Sequence, residues 1–279
     1  MRWAIVHRTE YRYATPAKDS FNQVRLQPMN TSDQTVESFQ LNVLPAAKLH
    51  HYRDFYANVV HHFEIPEPHA HLTIESAVQA RTRAPQALEE TATVFPLERI
   101  GEAGRSLRCH DFVNPSKYVD VEPVTWRLAL DAINGATDTW QAAQAITRFV
   151  HGHLKYTSSS TSVHTHMQDA LAQRQGVCQD FAHVTLGLCR AVKIPALYVS
   201  GYLATEAASA THAWIEAFLP EIGWRGLDPT HNRQVDQSYL KIAVGRDYAD
   251  VAPVSGHYKG TQERKMDVTV KIETETGSD

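Results

Sequence analysis

One stretch constrains the fold more than any other: Gly176-Val177-Cys178-Gln179-Asp180-Phe181-Ala182. Upstream, Arg174, Gln175 and Gly176 make a polar loop that ends in glycine. Downstream, Phe181, Val184, Leu188 and Ala191 recur at spacings of three and four, the period of an amphipathic helix. The pattern puts Cys178 at or near a helix N-terminus. Unpaired backbone N–H groups and the helix dipole there favour a thiolate over a thiol.

A reactive cysteine needs a base, and the base needs an orienting group. Thr211 to Phe218 and Gly223 to Asp228 both read as strands, joined by the short connection Leu219-Pro220-Glu221 as in a hairpin. Pairing Phe218 with Ile222 predicts Glu216 opposite Trp224, Trp214 opposite Gly226 and His212 opposite Asp228. Cross-strand partners share a face, with Cβ atoms roughly 5 Å apart, so an imidazole would be held by a carboxylate. A one-residue slip would put Asp228 on the other face.

The chain has 279 residues, enough for one large domain or two ordinary ones. Its 43% hydrophobic and 21% charged content is that of a soluble globular protein, and a net charge of −4 without long single-sign runs points to neither nucleic acid nor an anionic membrane. The three cysteines, Cys109, Cys178 and Cys189, are odd in number and form no CxxC, so a reducing compartment fits better than a disulfide framework. Cys178 and Cys189 would lie roughly 16 Å apart along one helix, too far to bridge. The apolar run after Met1 is too short for a signal sequence and no stretch approaches a membrane span, so the expected location is cytoplasmic.

Read in order, residues 1–82 form short alternating runs that predict an N-terminal β domain, with Ala57-Asn58 as a hairpin turn. Residues 83–115 read as an irregular connector. Residues 116–272 contain the predicted helices Trp126–Ala132 and Thr139–Leu154, the latter capped by Asp138 or Thr139, then a short helix from Met167 and the Cys178 helix. Strands at 196–203, 211–218 and 223–227 follow, with a further one near Ile242 and a last one from Lys265 to Ile272; residues 273–279 are expected as a loose tail. Helices first and an antiparallel sheet after them predict an α+β catalytic domain, its Cys helix packed on the sheet that carries the His and Asp.

These pieces resemble the bacterial transglutaminase-like cysteine hydrolases, relatives of the papain-type thiol enzymes. The matching segments are G-V-C-Q-D-F-A, I-P-A-L-Y-V-S-G-Y-L (194–203), T-H-A-W-I-E-A-F-L-P (211–220), G-W-R-G-L-D-P-T (223–230) and A-V-G-R-D-Y-A-D-V-A-P-V (243–254). At the N-terminus, H-R-T-E-Y-R-Y-A-T-P (7–16) and D-F-Y-A-N-V-V-H-H-F (54–63) extend the likeness over nearly the whole chain. Two departures stand out: His231 follows D-P-T where relatives usually carry asparagine, and Q-P-M (27–29) replaces a commoner proline-arginine pair. The resemblance implies a transglutaminase-like, papain-like catalytic domain behind the β domain.

On this reading Cys178 is the nucleophile, His212 the general base and Asp228 the group that fixes the imidazole tautomer. The oxyanion would be held by the Cys178 backbone N–H and a second donor, for which Tyr156 is the candidate. Trp214 and Trp224 either wall the cleft or pack. The competing readings are an inert core thiol at Cys178, a strand histidine at His212 and a turn residue at Asp228. Asp180 is read as a favourable charge in the first helical turn, and Cys109 and Cys189 as inert. His61-His62, His69/His71 and His164/His166 invite a metal reading, but no Cys/His set has structural-zinc spacing, so neither metal nor cofactor is expected. The expected chemistry is thiol-dependent amide hydrolysis through a thioester, with acyl transfer to an amine or a non-catalytic scaffold as alternatives. The expected partner is a peptide or small amide substrate; a homo-oligomer is left open.

Overall fold

The computed structural model describes all residues except 87–94, 159–163, 205–210, 221, 262 and 276–279. The N-terminal region comprises β1 (Arg2–Val24), β2 (Gln34–Leu44), β3 (His50–Arg53), β4 (Val59–Ile65) and β5 (His69–Thr82). After α1 (Ile100–Ala103) come α2 (Pro123–Ala132), α3 (Thr139–His153), β6 (Lys155–Tyr156), α4 (Met167–Gln173), β7 (Gln175–Gly176) and α5 (Cys178–Ala191). The chain continues through β8 (Ala196–Leu203), β9 (His212–Leu219), β10 (Gly223–Asp228), β11 (Arg233–Gln234), β12 (Tyr239–Gly245), α6 (Tyr248–Val251), β13 (Val254–Lys259) and β14 (Arg264–Glu275).

Instead of the short runs expected at the start, β1 is one strand of 23 residues. Its first half buries Trp3, Ile5, His7, Thr9, Tyr11 and Tyr13 in strict alternation. Register breaks between Arg12 and Ala17, across Pro16, which has no N–H for the ladder. The first half pairs with β5 and β14, and the second with β4 and β13. The last strand therefore differs from expectation: β14 adds to the N-terminal sheet, from Arg2↔Glu275 to Tyr13↔Arg264, rather than to the catalytic sheet. It also reaches three residues into the expected tail, whose residues 276–279 lie outside the described residues. Of the run Ser158-Ser159-Ser160-Thr161-Ser162, which reads as a polar loop, residues 159–162 are also outside them.

The second sheet has the order β11-β10-β9-β8-β12, and all of its pairings are antiparallel. On one face Ala213, Ile215, Ala217 and Leu219 of β9 join Phe181, Val184 and Leu188 of α5 in the main core. That core also takes Trp3, Ile5, Val78, Ala80 and Val270, so the N-terminal sheet and the helices share it. The opposite face carries Leu197, Val199, Leu203, Trp214, Tyr239 and Val244, covered by Phe112.

β12 is an edge strand, and side-chain amides from the N-terminal region close that edge. Gln34 Nε2 donates to the Lys241 carbonyl (2.7 Å), and its Oε1 accepts the Lys241 N–H (2.7 Å). Asn58 does the same for Val244, with both bonds 2.8 Å long. Each amide occupies both backbone groups of one residue, as a neighbouring strand would.

Candidate active site

Cys178 is the first residue of α5, after Val177 as N-cap in extended conformation. Every later residue of α5 is buried, while Cys178 is half-buried, so the helix offers only its first side chain to solvent. The loop before it is pinned by Asp180, 1% exposed, whose Oδ2 accepts the Val177 N–H at 2.8 Å. Gly176 makes this possible: a Cβ there would lie 2.5 Å from Asp180 Cβ. The expected first-turn charge is thus also a clamp on the loop before Cys178.

The hairpin carries the other two groups in a register different from the expected one. The ladder runs from Gly223↔Leu219 and Trp224↔Phe218 to Leu227↔Ile215. The turn starts one residue later than expected, because Pro220 takes the position after Leu219 and Gly223 takes a φ of +96° at the return. The offset is two positions across the ladder, an even number, so His212 and Asp228 keep their common face as diagonal neighbours. Their side chains close the gap: His212 Nε2 lies 2.8 Å from Asp228 Oδ2. That bond occupies Nε2 and leaves Nδ1 as the other ring nitrogen, and Cys178 stands close enough to the ring to raise its pKa.

Asp228 is completely buried and heavily solvated by the protein. Oδ2 also accepts from His231 Nδ1 at 2.8 Å and from the Tyr239 hydroxyl at 2.7 Å. Oδ1 accepts the backbone N–H groups of Thr230 (2.8 Å) and His231 (3.2 Å). Burial alone would raise the Asp228 pKa, but the hydrogen bonds from His212 and His231 and the His212 charge hold it well below the usual carboxylate range. For His212 burial alone would lower the pKa; the hydrogen bonds to Asp228 and Cys178 outweigh it and push it up to about 10. The other two thiols are of the opposite kind: burial pushes Cys109 up to about 11 and Cys189 up to about 12.

Two family models match the chain. Residues 3–81 match the model for the bacterial transglutaminase-like N-terminal region, and residues 127–229 match the transglutaminase-like superfamily core, a span containing Cys178, His212 and Asp228. An uncharacterised protein of Mycobacterium leprae is 35% identical over 97% of this chain and 98% of its own. The chain belongs to the transglutaminase-like superfamily. An uncharacterised Mycobacterium tuberculosis protein is 32% identical over 97% of this chain and 92% of its own. A protein-glutamine gamma-glutamyltransferase of Pseudomonas aeruginosa is 32% identical over 31% of this chain and 15% of its own. The fold matches a solved candidate cysteine protease from Cytophaga hutchinsonii, with a TM-score of 0.83 and 22% identity over 100% of this chain and 92% of that one.

In this transglutaminase-like chain Tyr156 stands on β6 beside the nucleophile loop, paired with Gly176, and is 53% exposed. Trp214 is 1% exposed and packs behind the site, its ring 6.2 Å from His212 and 5.2 Å from Tyr239; Trp224 packs between Phe112 and Phe218. Sequence reasoning missed Tyr239 as part of the site. It stands on a strand separated from β10 in the sheet, and no local pattern marks it. The role of His231 was visible only as a departure from the family motif. Ligand-type atoms of His212, Asp228 and His231 lie within 4.8 Å of one another, and hydrogen bonds to Asp228 account for the grouping.

Proposed function

We propose that the protein is a thiol-dependent amide hydrolase of the cysteine peptidase or amidase type. The observation that carries this is the buried 2.8 Å contact of His212 with Asp228, on an imidazole that also partners Cys178 at a helix start. His212 takes the Cys178 proton, and the thiolate attacks an amide carbonyl. The oxyanion is met by the Cys178 backbone N–H, which has no carbonyl one turn back in the helix, and by Tyr156 as second donor. His212 then protonates the leaving amine, a thioester remains on Cys178, and water resolves it. None of these steps calls on a cofactor. The setting proposed with this chemistry is cytoplasmic, where thiols stay reduced.

A second reading is acyl transfer to an amine, favoured by the partial match to a protein-glutamine gamma-glutamyltransferase. Hydrolysis is preferred because water resolves the thioester without an acceptor site. The test is iodoacetamide labelling of each cysteine against pH, read by mass spectrometry, in wild type and His212→Ala. Cys178 should label fast well below the free-thiol pKa of about 8.5, and slowly in the variant. Labelling no faster than Cys109 and Cys189 would sink the thiol-enzyme reading. With glutamine peptides, ammonia release without incorporation of a labelled amine supports hydrolysis; incorporation supports transfer.

A further inference from the structure

One oxygen of Asp228 serves three side chains. Oδ2 accepts from His212 Nε2, His231 Nδ1 and the Tyr239 hydroxyl. The orientation of the carboxylate does not depend on the last two, because Oδ1 is already held by the backbone N–H groups of Thr230 and His231. Tyr239 is made a stronger donor by Arg233, whose Nε donates to the same hydroxyl at 2.7 Å and whose guanidinium lies 5.0 Å from the ring centre. Among the described residues, Cys178 on α5, Asp236 beside Arg233 and His151 on α3, whose Nδ1 is 3.0 Å from the Thr230 carbonyl, also face this cluster.

We propose that His231 and Tyr239 are positioning residues that share the Asp228 carboxylate with His212 and so keep the imidazole able to release its proton. The inference rests on the triad reading of Cys178, His212 and Asp228. A carboxylate given wholly to one imidazole stabilises the imidazolium most, and a proton held that tightly is slow to pass to a leaving amine. Each competing donor takes part of the negative charge and loosens the grip. His231 can do this without being part of the core, since its side chain is 33% exposed. An asparagine at this position would also have a side-chain N–H to offer.

The test is the titration of the His212 ring by NMR in wild type, His231→Ala, His231→Asn and Tyr239→Phe, the resonance being identified by its loss in His212→Gln. The midpoint should rise by about one pH unit in His231→Ala and in Tyr239→Phe. In His231→Asn it should stay close to wild type. A merely structural role would lower thermal stability and leave the midpoint in place. A midpoint unchanged or lowered in both variants overturns the proposal; a rise in only one removes the other residue from it. Alkylation of Cys178 measured on the same samples separates the two readings. If wild-type Cys178 labels no faster than Cys109 and Cys189, the thiol-enzyme reading falls, while the His212 midpoints still decide whether the carboxylate is shared.

Discussion

At the scale of single residues, the site is a buried charge held by many donors. Asp228→Asn keeps the volume and loses the charge and the tautomer control. On the triad reading it should reduce kcat by about 10⁴ while the fold persists; a loss under tenfold would remove Asp228 from the chemistry. Burial also makes the molecule acid-sensitive away from Asp228. His183 is fully buried and lowered to about 3, and His7 to about 4, both by desolvation. A lowered folded pKa adds stability above the unfolded value of about 6.5 that is lost as pH falls toward the folded one. His183 Nε2 also accepts the Tyr248 N–H at 3.2 Å, an acceptor that protonation abolishes. The urea midpoint should therefore drop between pH 7 and 5, and less steeply in His183→Gln; parallel curves would refute the assignment. The helix start at Cys178 and the shared face of His212 and Asp228 were legible from residue types and spacing alone. Tyr239 was not, because it reaches Asp228 from β12, three strands from β10 in the sheet, and no local pattern marks that approach.

At the scale of elements, two devices place Cys178 and the sheet. The Cys178 loop closes on Asp180 only because residue 176 has no side chain. Gly176→Ala should cost at least the usual ~1–3 kcal/mol of overpacking and slow Cys178 alkylation by shifting α5's first turn. Normal alkylation in a folded variant would count against this. The other device is the amide closure of β12. Asn58→Ala leaves the N–H and carbonyl of Val244 without their partner. An expected loss of about 1–3 kcal/mol can be measured by urea denaturation, and no loss would mean that solvent substitutes for the amide. Helix and strand runs of the second half were readable from apolar spacing and turn residues, although α5, β8 and β9 are buried on nearly every side. The hairpin register was not, since Pro220 and Gly223 admit turns that differ by one residue, and both keep the apolar pattern.

For the whole molecule, the N-terminal and C-terminal ends of the chain are one structural unit. β14 pairs with β1 along Arg2 to Tyr13, and the main core runs from Trp3 to Val270 through α5. Deleting residues 264–279 should open the N-terminal sheet, seen as lost strand signal in circular dichroism and faster proteolysis of residues 1–82. Excising residues 116–272 alone should give a protein that does not hold its fold; a stable, cooperative fragment would contradict this. By itself the sequence determined the helix start at Cys178, the two strands that carry His212 and Asp228, and the β-rich character of the first region. Each is written in short-range periodicity and in residues within one element of each other. Only the tertiary structure decided the hairpin register, the return of β14 to the first sheet, and the partners of Gln34, Asn58, His231 and Tyr239. Gln34 meets Lys241 across 207 residues and Asn58 meets Val244 across 186. Contacts of that span depend on which faces are left to be buried once every element has formed, and a single strand's pattern says that a face is buried without saying against what.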